Sequence, residues 1–321
     1  MRSVVAGLER HQLRLYLAAL ALGAVLGLLV PAVAQPAEAA INPVLGLLLY
    51  ATFLGVPFPR LARAVRDWPF LATTLAANFV AVPFVVFGLS RIVAHDRVLL
   101  VGVLLVLLTP CVDYVIVFTG MAGGAKDRLL AATPLLMLVQ MLLLPLYLWL
   151  FVGGEFVTHV DLAPFVEAFL LLIALPLTAA VATQLAADRT RWGAGVQGGV
   201  SDAMVPLMML TLAVVVASQI AAVGRQFESL LLTVPIYLLF AVLMVPLGMV
   251  AGRLTRLDVA GRRAIVFSGA TRNSLVVLPL ALALPAGFDL APLVVVTQTL
   301  TELVVMVAFV RFIPRVIPAG G

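Results

Sequence analysis

Charge is scarce in this chain and cysteine scarcer still. Lys, Arg, Asp and Glu together make up 11% of 321 residues, against about 25% in a typical soluble domain, so most of its surface faces something other than water. The one cysteine excludes an internal disulfide. There is no phosphate-binding loop and no hydrolase or metalloprotease motif, so nucleotide-driven work and enzymatic turnover are not expected, and no cofactor is implied. The three histidines, His11, His95 and His159, fall in terminal or loop segments and suggest no ligand role. What the chain has in abundance is apolar sequence, 64% of it, which defines an integral membrane protein. The basic excess, 20 Lys plus Arg against 15 Asp plus Glu, does not indicate nucleic acid, because the arginines sit in short loops between apolar runs.

A helix needs about 20 apolar residues to cross the hydrocarbon core, and ten segments qualify. They are Leu13 to Val33, Ile41 to Phe58, Phe70 to Ser90, Val98 to Gly120, Leu129 to Val152, Leu162 to Ala186, Ala203 to Val223, Leu230 to Gly252, Ala264 to Pro285 and Leu290 to Ile313. The first also has features of a signal peptide, but its apolar stretch is long enough to span and the repeat described next requires it. With the amino terminus inside, 16 basic residues fall in inward loops and termini and only Arg91, Arg97 and Arg225 outside. That bias predicts a multi-pass protein of the plasma (cell inner) membrane with both termini cytoplasmic.

Ten spans divide into five and five around the outward loop at Gly153 to Asp161, giving two repeats, 1–152 and 153–321. Each holds an odd number of spans, so the second is inverted. A faint echo supports the pairing: Gln140 and Gln298 are separated by 158 residues, and the same offset carries Asp113 onto Thr271. The fold expected is therefore an all-α membrane protein of two inverted five-helix repeats.

Spans four and nine stand out. "LLTPCVDYVIV" places Pro110, Cys111 and Asp113 in the middle of the fourth, and proline breaks or kinks the helix there. "FSGATRNSLVVLP" places Ser268, Thr271, Arg272, Asn273 and Ser274 in a polar cluster within the ninth. Irregular backbone at this depth requires protein or a water-filled cavity around it, and two interrupted helices at corresponding positions point to a carrier's substrate site. An isolated charge at the bilayer centre costs at least about 2.5–3.5 kcal/mol, so Asp113 and Arg272 are expected to face each other. Two readings of that pair stand: a static ion pair that fixes register, or a site where Asp113 exchanges a proton or substrate beside a fixed positive charge. Cys111 likewise reads either as a small buried hydrophobe or as a soft ligand for a thiophilic species, helped to ionise by Arg272. Glu302 is either functional or bonded to Gln298 one helical turn away. Asn78, Gln140 and Gln298 read as helix-bridging amides, Thr109, Ser268 and Thr271 as partners for backbone freed at the breaks, and Glu167 as a residue near the outer end of span six.

Pro-Cys in the fourth span, an Asn-containing break in the ninth and ten spans in inverted halves resemble the bile acid/arsenite/riboflavin transporter superfamily, and within it the arsenite-efflux branch. The resemblance implies a panel domain of spans one, two, six and seven and a core of three to five with eight to ten, in which four and nine cross. It places Cys111 where trivalent arsenic is received and Asn273 at an asparagine of the ninth-span motif. Two carboxylates of that motif are missing: the bile-acid branch has a glutamate at about Ser268 and a glutamine at Arg272, and the arsenite branch a glutamate at Leu275. An always-protonated arginine repels sodium and offers it no acceptor, so coupling to protons through Asp113, or through Glu302, is expected instead.

The function expected is thus a secondary carrier that exports arsenite or a related trivalent metalloid by alternating access, an antiporter with protons. A carrier of an organic anion bound at Arg272 is the alternative, and a membrane channel or sensor a third.

Overall fold

The structure, a computed structural model, describes residues 2–55, 67–153, 170–285 and 287–318, together with Ala163, Val166 and Glu167. Arg60, Arg63, Arg66, His159 and the segment 154–162 between the two expected halves lie outside the described residues. Among the described residues every regular element is helical: α1 (Arg2–Leu29), α2 (Ala34–Leu54), α3 (Trp68–Ala76), α4 (Val82–Ser90), α5 (Arg97–Leu107), α6 (Tyr114–Met121), α7 (Lys126–Val152), α8 (Leu175–Ala187), α9 (Arg191–Asp202), α10 (Met204–Arg225), α11 (Phe227–Leu230), α12 (Thr233–Leu254), α13 (Val259–Ala270), α14 (Ser274–Leu282) and α15 (Ala291–Val316). Seven helical stretches are long and apolar enough to cross a membrane: Pro31–Leu54, Trp68–Val93, Lys126–Val152, Leu170–Ala187, Met204–Arg225, Phe227–Leu254 and Ala291–Val316. The first expected span contributes a shorter apolar stretch, Arg14–Leu29. The fourth and ninth are each divided, into α5 with α6 and α13 with α14.

Contacts gather the chain into two compact units, one from residues 1–57 and 165–226, the other from 58–164 and 227–321. In the first, α1 lies against α10 at a distance only glycine permits. A Cβ on Gly23 would come 2.5 Å from the Ala213 carbonyl oxygen, and one on Gly27 equally close to that of Ala217. The two glycines are four residues apart, the small-residue spacing that lets membrane helices approach closely. Gln184 donates to the Leu54 carbonyl at 2.9 Å and satisfies one acceptor at the end of α2. The helix α9, rich in glycine, departs from the expected loop. Thr190 caps it by accepting from the Gly193 N–H at 3.0 Å, and Gly193 fits against the backbone of Ala186 and Ala187.

The second unit holds every residue of the two interrupted helices. α5 starts at Asp96, whose carboxylate accepts from the N–H groups of Val98 and Leu99 at 2.9 and 3.1 Å. α13 starts at Asp258, which accepts from Gly261 N–H at 3.1 Å and from Arg128 at 2.7 Å. Trp68–Ser90 is one helical path with a wide π turn at Ala77–Ala81, and the carbonyl of Phe79 freed there accepts from the Tyr147 hydroxyl at 2.6 Å. Such turns occur preferentially at functional sites, and this one carries Asn78.

Candidate functional site

α5 ends at Leu107 because Pro110 cannot continue the ladder, and α13 ends at Ala270. The unwound residues between the half-helices then pair with each other. Pro110 and Arg272 form an isolated antiparallel bridge, in which Cys111 N–H donates to the Thr271 carbonyl at 3.2 Å and Asn273 N–H to the Thr109 carbonyl at 2.8 Å. Each break thereby supplies the hydrogen bonds the other has lost, which is what buried backbone in lipid requires. The threonines close the remaining gaps: Thr109 donates to the carbonyls of Leu105 and Val106, both at 3.0 Å, and Thr271 to that of Phe267 at 2.7 Å.

The second half-helices begin at the bridge, and each is capped by a residue next to it. Asp113 Oδ1 accepts from Tyr114 N–H at 2.6 Å at the start of α6. Asn273 Oδ1 accepts from Val276 N–H at 3.3 Å at the start of α14. Two helix amino termini, each with a partial positive charge, therefore converge on one buried spot.

The expected Asp113–Arg272 ion pair does not form: among the described residues neither is in a salt bridge. The guanidinium of Arg272, fully buried at 0% exposure, turns instead into a set of oxygens. Nη2 donates to Asn78 Oδ1 at 2.8 Å and to the carbonyls of Ser268 and Gly269 at 2.7 and 2.8 Å, its two hydrogens shared among three acceptors. Nη1 donates to the Leu107 carbonyl at 3.3 Å. These carbonyls are the ones left without helical partners near the ends of α5 and α13, so the cation sits where broken helices accumulate negative potential. The ring of Phe240 lies 5.2 Å from the guanidinium carbon. Asn78 is fixed in turn, donating to the Thr74 carbonyl at 3.0 Å and to Ser268 Oγ at 2.9 Å.

Asp113 has a different partner. Cys111 Sγ donates to its Oδ1 at 3.0 Å, and its Oδ2 is buried with no hydrogen-bond partner. The thiol thus lies against a carboxylate and not against the guanidinium expected to help it ionise. Among the described residues no three His, Cys, Asp or Glu side chains group to hold a metal ion.

The carboxylate that touches the Arg272 segment is Glu302 of α15. Its Oε2 accepts from Arg272 N–H at 2.7 Å and from the amide of Gln298, and its Oε1 from the Tyr114 hydroxyl at 2.7 Å. That hydroxyl also lies 3.2 Å from the Arg272 carbonyl. Tyr114 follows directly on the motif around Asp113, yet its reach to α15 has no signal in a linear reading. Glu302→Ala should leave Arg272 N–H and the Gln298 amide without acceptors, each costing about 1–3 kcal/mol, and the Tyr114 hydroxyl with the Arg272 carbonyl alone. Thermal unfolding of the purified protein should therefore drop sharply for Glu302→Ala and much less for Glu302→Gln; equal drops would contradict the arrangement.

The other candidates divide. Asn78, Ser268 and Thr271 belong to the cluster, whereas Gln140 in α7 is buried with both side-chain polar atoms unpartnered. Asn273 Nδ2, Ser274 Oγ and Gln298 Oε1 are likewise buried without partners. Glu167 is exposed and takes no part in this cluster.

An all-helical, multi-pass protein whose two interrupted helices meet deep inside it, with polar groups left over at the meeting point, has the build of a membrane transporter. Residues 42–223 match the sodium bile acid symporter family, and the chain belongs to that family. The matched region contains Cys111 and Asp113 and ends before Arg272, Asn273 and Glu302. No curated protein is significantly similar to the chain.

Proposed function

We propose that this protein is a secondary carrier that exports arsenite, or a related trivalent metalloid hydroxide, in exchange for protons by alternating access. The observation that carries the reading is the Cys111–Asp113 contact, a thiol 3.0 Å from a carboxylate oxygen at the bridge between two unwound segments. Trivalent arsenic is soft and thiophilic. As neutral arsenous acid reacts, an S–As bond forms and one As–O bond breaks. The thiol proton passes through Asp113 to the departing hydroxide, which leaves as water, and the reverse step releases the substrate on the other side. Asn273 Nδ2 and Ser274 Oγ, unpartnered at the same bridge, are available to the remaining hydroxyl groups.

Arg272 bears on the coupling ion. Its guanidinium already occupies the oxygens of Asn78, Ser268, Gly269 and Leu107, so a second cation there would meet like charge and no free acceptor. This favours proton over sodium coupling despite the sodium in the family's name, with Asp113 the first proton carrier and Glu302 the second. The first compact unit holds the helices of expected spans one, two, six and seven and the second those of three to five and eight to ten. That partition supports the panel and core of an inverted-repeat carrier.

The family's name favours a second reading, an organic anion as substrate. Arg272 is committed to protein oxygens, so its carboxylate or sulfate would be bound by the unpartnered Asn273 and Ser274 donors and the helix amino termini. The deciding experiment is uptake of labelled arsenite into everted vesicles, with sodium removed and, separately, with the proton gradient collapsed. Uptake that survives the first and stops in the second supports the reading. Uptake that requires sodium, or absence of arsenite uptake beside saturable uptake of a bile acid, rejects it.

A further inference from the structure

Away from the crossing, the second unit has a cavity of about 250 Å³ lined by Met249, Arg253, Arg262, Val316, Ile317 and Pro318. Its lining contains two cations and no acid. Arg253 is in the last turn of α12 and exposed. Arg262 is in the first turn of α13, and its Nε is buried without a hydrogen-bond partner. A guanidinium nitrogen removed from water and left unbonded is costly, so its presence calls for an acceptor.

The neighbouring charges do not supply one. Arg263 is spent on the protein, donating from Nε and Nη2 to the Ile317 carbonyl at 3.0 and 2.8 Å and from Nη1 to that of Ala122 at 2.9 Å. It fixes the cavity wall formed by the end of α15. Asp258, the nearest acid along the chain, is held by Arg128 at 2.7 Å and by Gly261 N–H. Among the described residues neither Arg253 nor Arg262 has an ion-pair partner. The backbone also makes room for this arrangement: a Cβ on Gly252 would come 2.8 Å from Arg262 Cγ, so glycine lets the arginine stem lie across α12.

We propose that this cavity binds a phosphate group, with Arg253 and Arg262 donating to its oxygens, and that the group is carried by an anionic phospholipid. Guanidinium forks match phosphate geometry, and basic pockets between membrane helices take lipid headgroups. The site lies at the ends of α12 and α15, which belong to helical stretches long and apolar enough to cross a membrane, and headgroups meet such helices at their ends. The four apolar liners offer a wall for the glycerol and first methylenes, which a free phosphate would not use.

The test uses the full chain in phosphatidylcholine nanodiscs with and without phosphatidylglycerol, followed by native mass spectrometry of the lipid retained after detergent stripping. The wild type should keep phosphatidylglycerol in preference to phosphatidylcholine. Arg262→Gln and Arg253→Gln should each weaken retention by about tenfold, while Arg191→Gln, at an exposed arginine of α9, should not. In a parallel arm inorganic phosphate is titrated against thermal unfolding. Stabilisation by phosphate that Arg262→Gln abolishes, without retained phosphatidylglycerol, keeps the phosphate chemistry and rejects the lipid as its source. No wild-type preference between the lipids together with no phosphate effect, or equal loss in Arg191→Gln, overturns the proposal. The wild-type comparison decides even if a variant fails to fold.

Discussion

Arg272→Gln should unfold far more readily than the wild type in medium where choline replaces sodium, and sodium should return much of the loss. The wild type should be indifferent to the exchange. The guanidinium donates to Asn78 Oδ1 and the carbonyls of Ser268 and Gly269 from one nitrogen and to Leu107 from the other. Hydrogen bonds from a charged group are each worth about 1.5–3 kcal/mol, and oxygens left buried without partners cost about as much. Glutamine is shorter and neutral and its amide carries only two N–H donors, so it can replace two of these four bonds at most. The oxygens are hard, uncharged acceptors, three of them directed at the position of Nη2 and the fourth at that of Nη1, a donor set suited to a small hard cation. A ligand that binds only the folded state adds about 2.7 kcal/mol at a hundredfold excess over its Kd, enough to read as a clear rise in unfolding temperature. Equal unfolding of the variant in sodium and in choline would show that the oxygens hold a guanidinium without forming a cation site.

Cys111→Ser should abolish arsenite transport while leaving stability within about 1 kcal/mol of wild type. Serine is nearly isosteric and can donate to Asp113 as the thiol does at 3.0 Å, so the packing of this fully buried position is kept. It cannot form the S–As bond. Transport in proteoliposomes checks the first half and thermal unfolding the second. Retained arsenite transport would reject the thiol's role, and loss confined to arsenite, with an organic anion still carried, would separate the two substrate readings.

The places where the helices break were legible in the sequence, because proline at position 110 and six polar or glycine residues from Ser268 to Ser274 conflict with a continuous apolar helix. What fills the breaks was not. Depth and charge alone argue that Asp113 and Arg272 should neutralise each other, yet the ends of α5 and α13 expose carbonyls whose combined dipoles hold the guanidinium without a carboxylate. Those oxygens carry no signature in sequence, since every residue has one. Asn78 read only as a helix-bridging amide, while the π turn that presents it depends on hydrogen-bond register, which composition does not encode. Glu302 read either as a functional carboxylate or as a bond to Gln298 at helical spacing, and that bond exists; its reach to Tyr114 and to Arg272 N–H spans 188 and 30 residues of chain. The helix α9 was missed for a simpler reason, its glycines, of which Gly193 serves close packing against α8 rather than a turn.

Substrate is proposed to bind at the bridge between the two unwound segments and to reach water on either side from there. Cys111, the single cysteine of the chain and wholly buried here, is a natural reporter of it. The direct measurement is the rate at which a membrane-impermeant maleimide labels Cys111 from each face of sealed vesicles, with and without arsenite. Slow labelling from both faces, suppressed as arsenite occupies the site, is the expected result. Labelling that never occurs from one face, or that arsenite leaves unchanged, would contradict it.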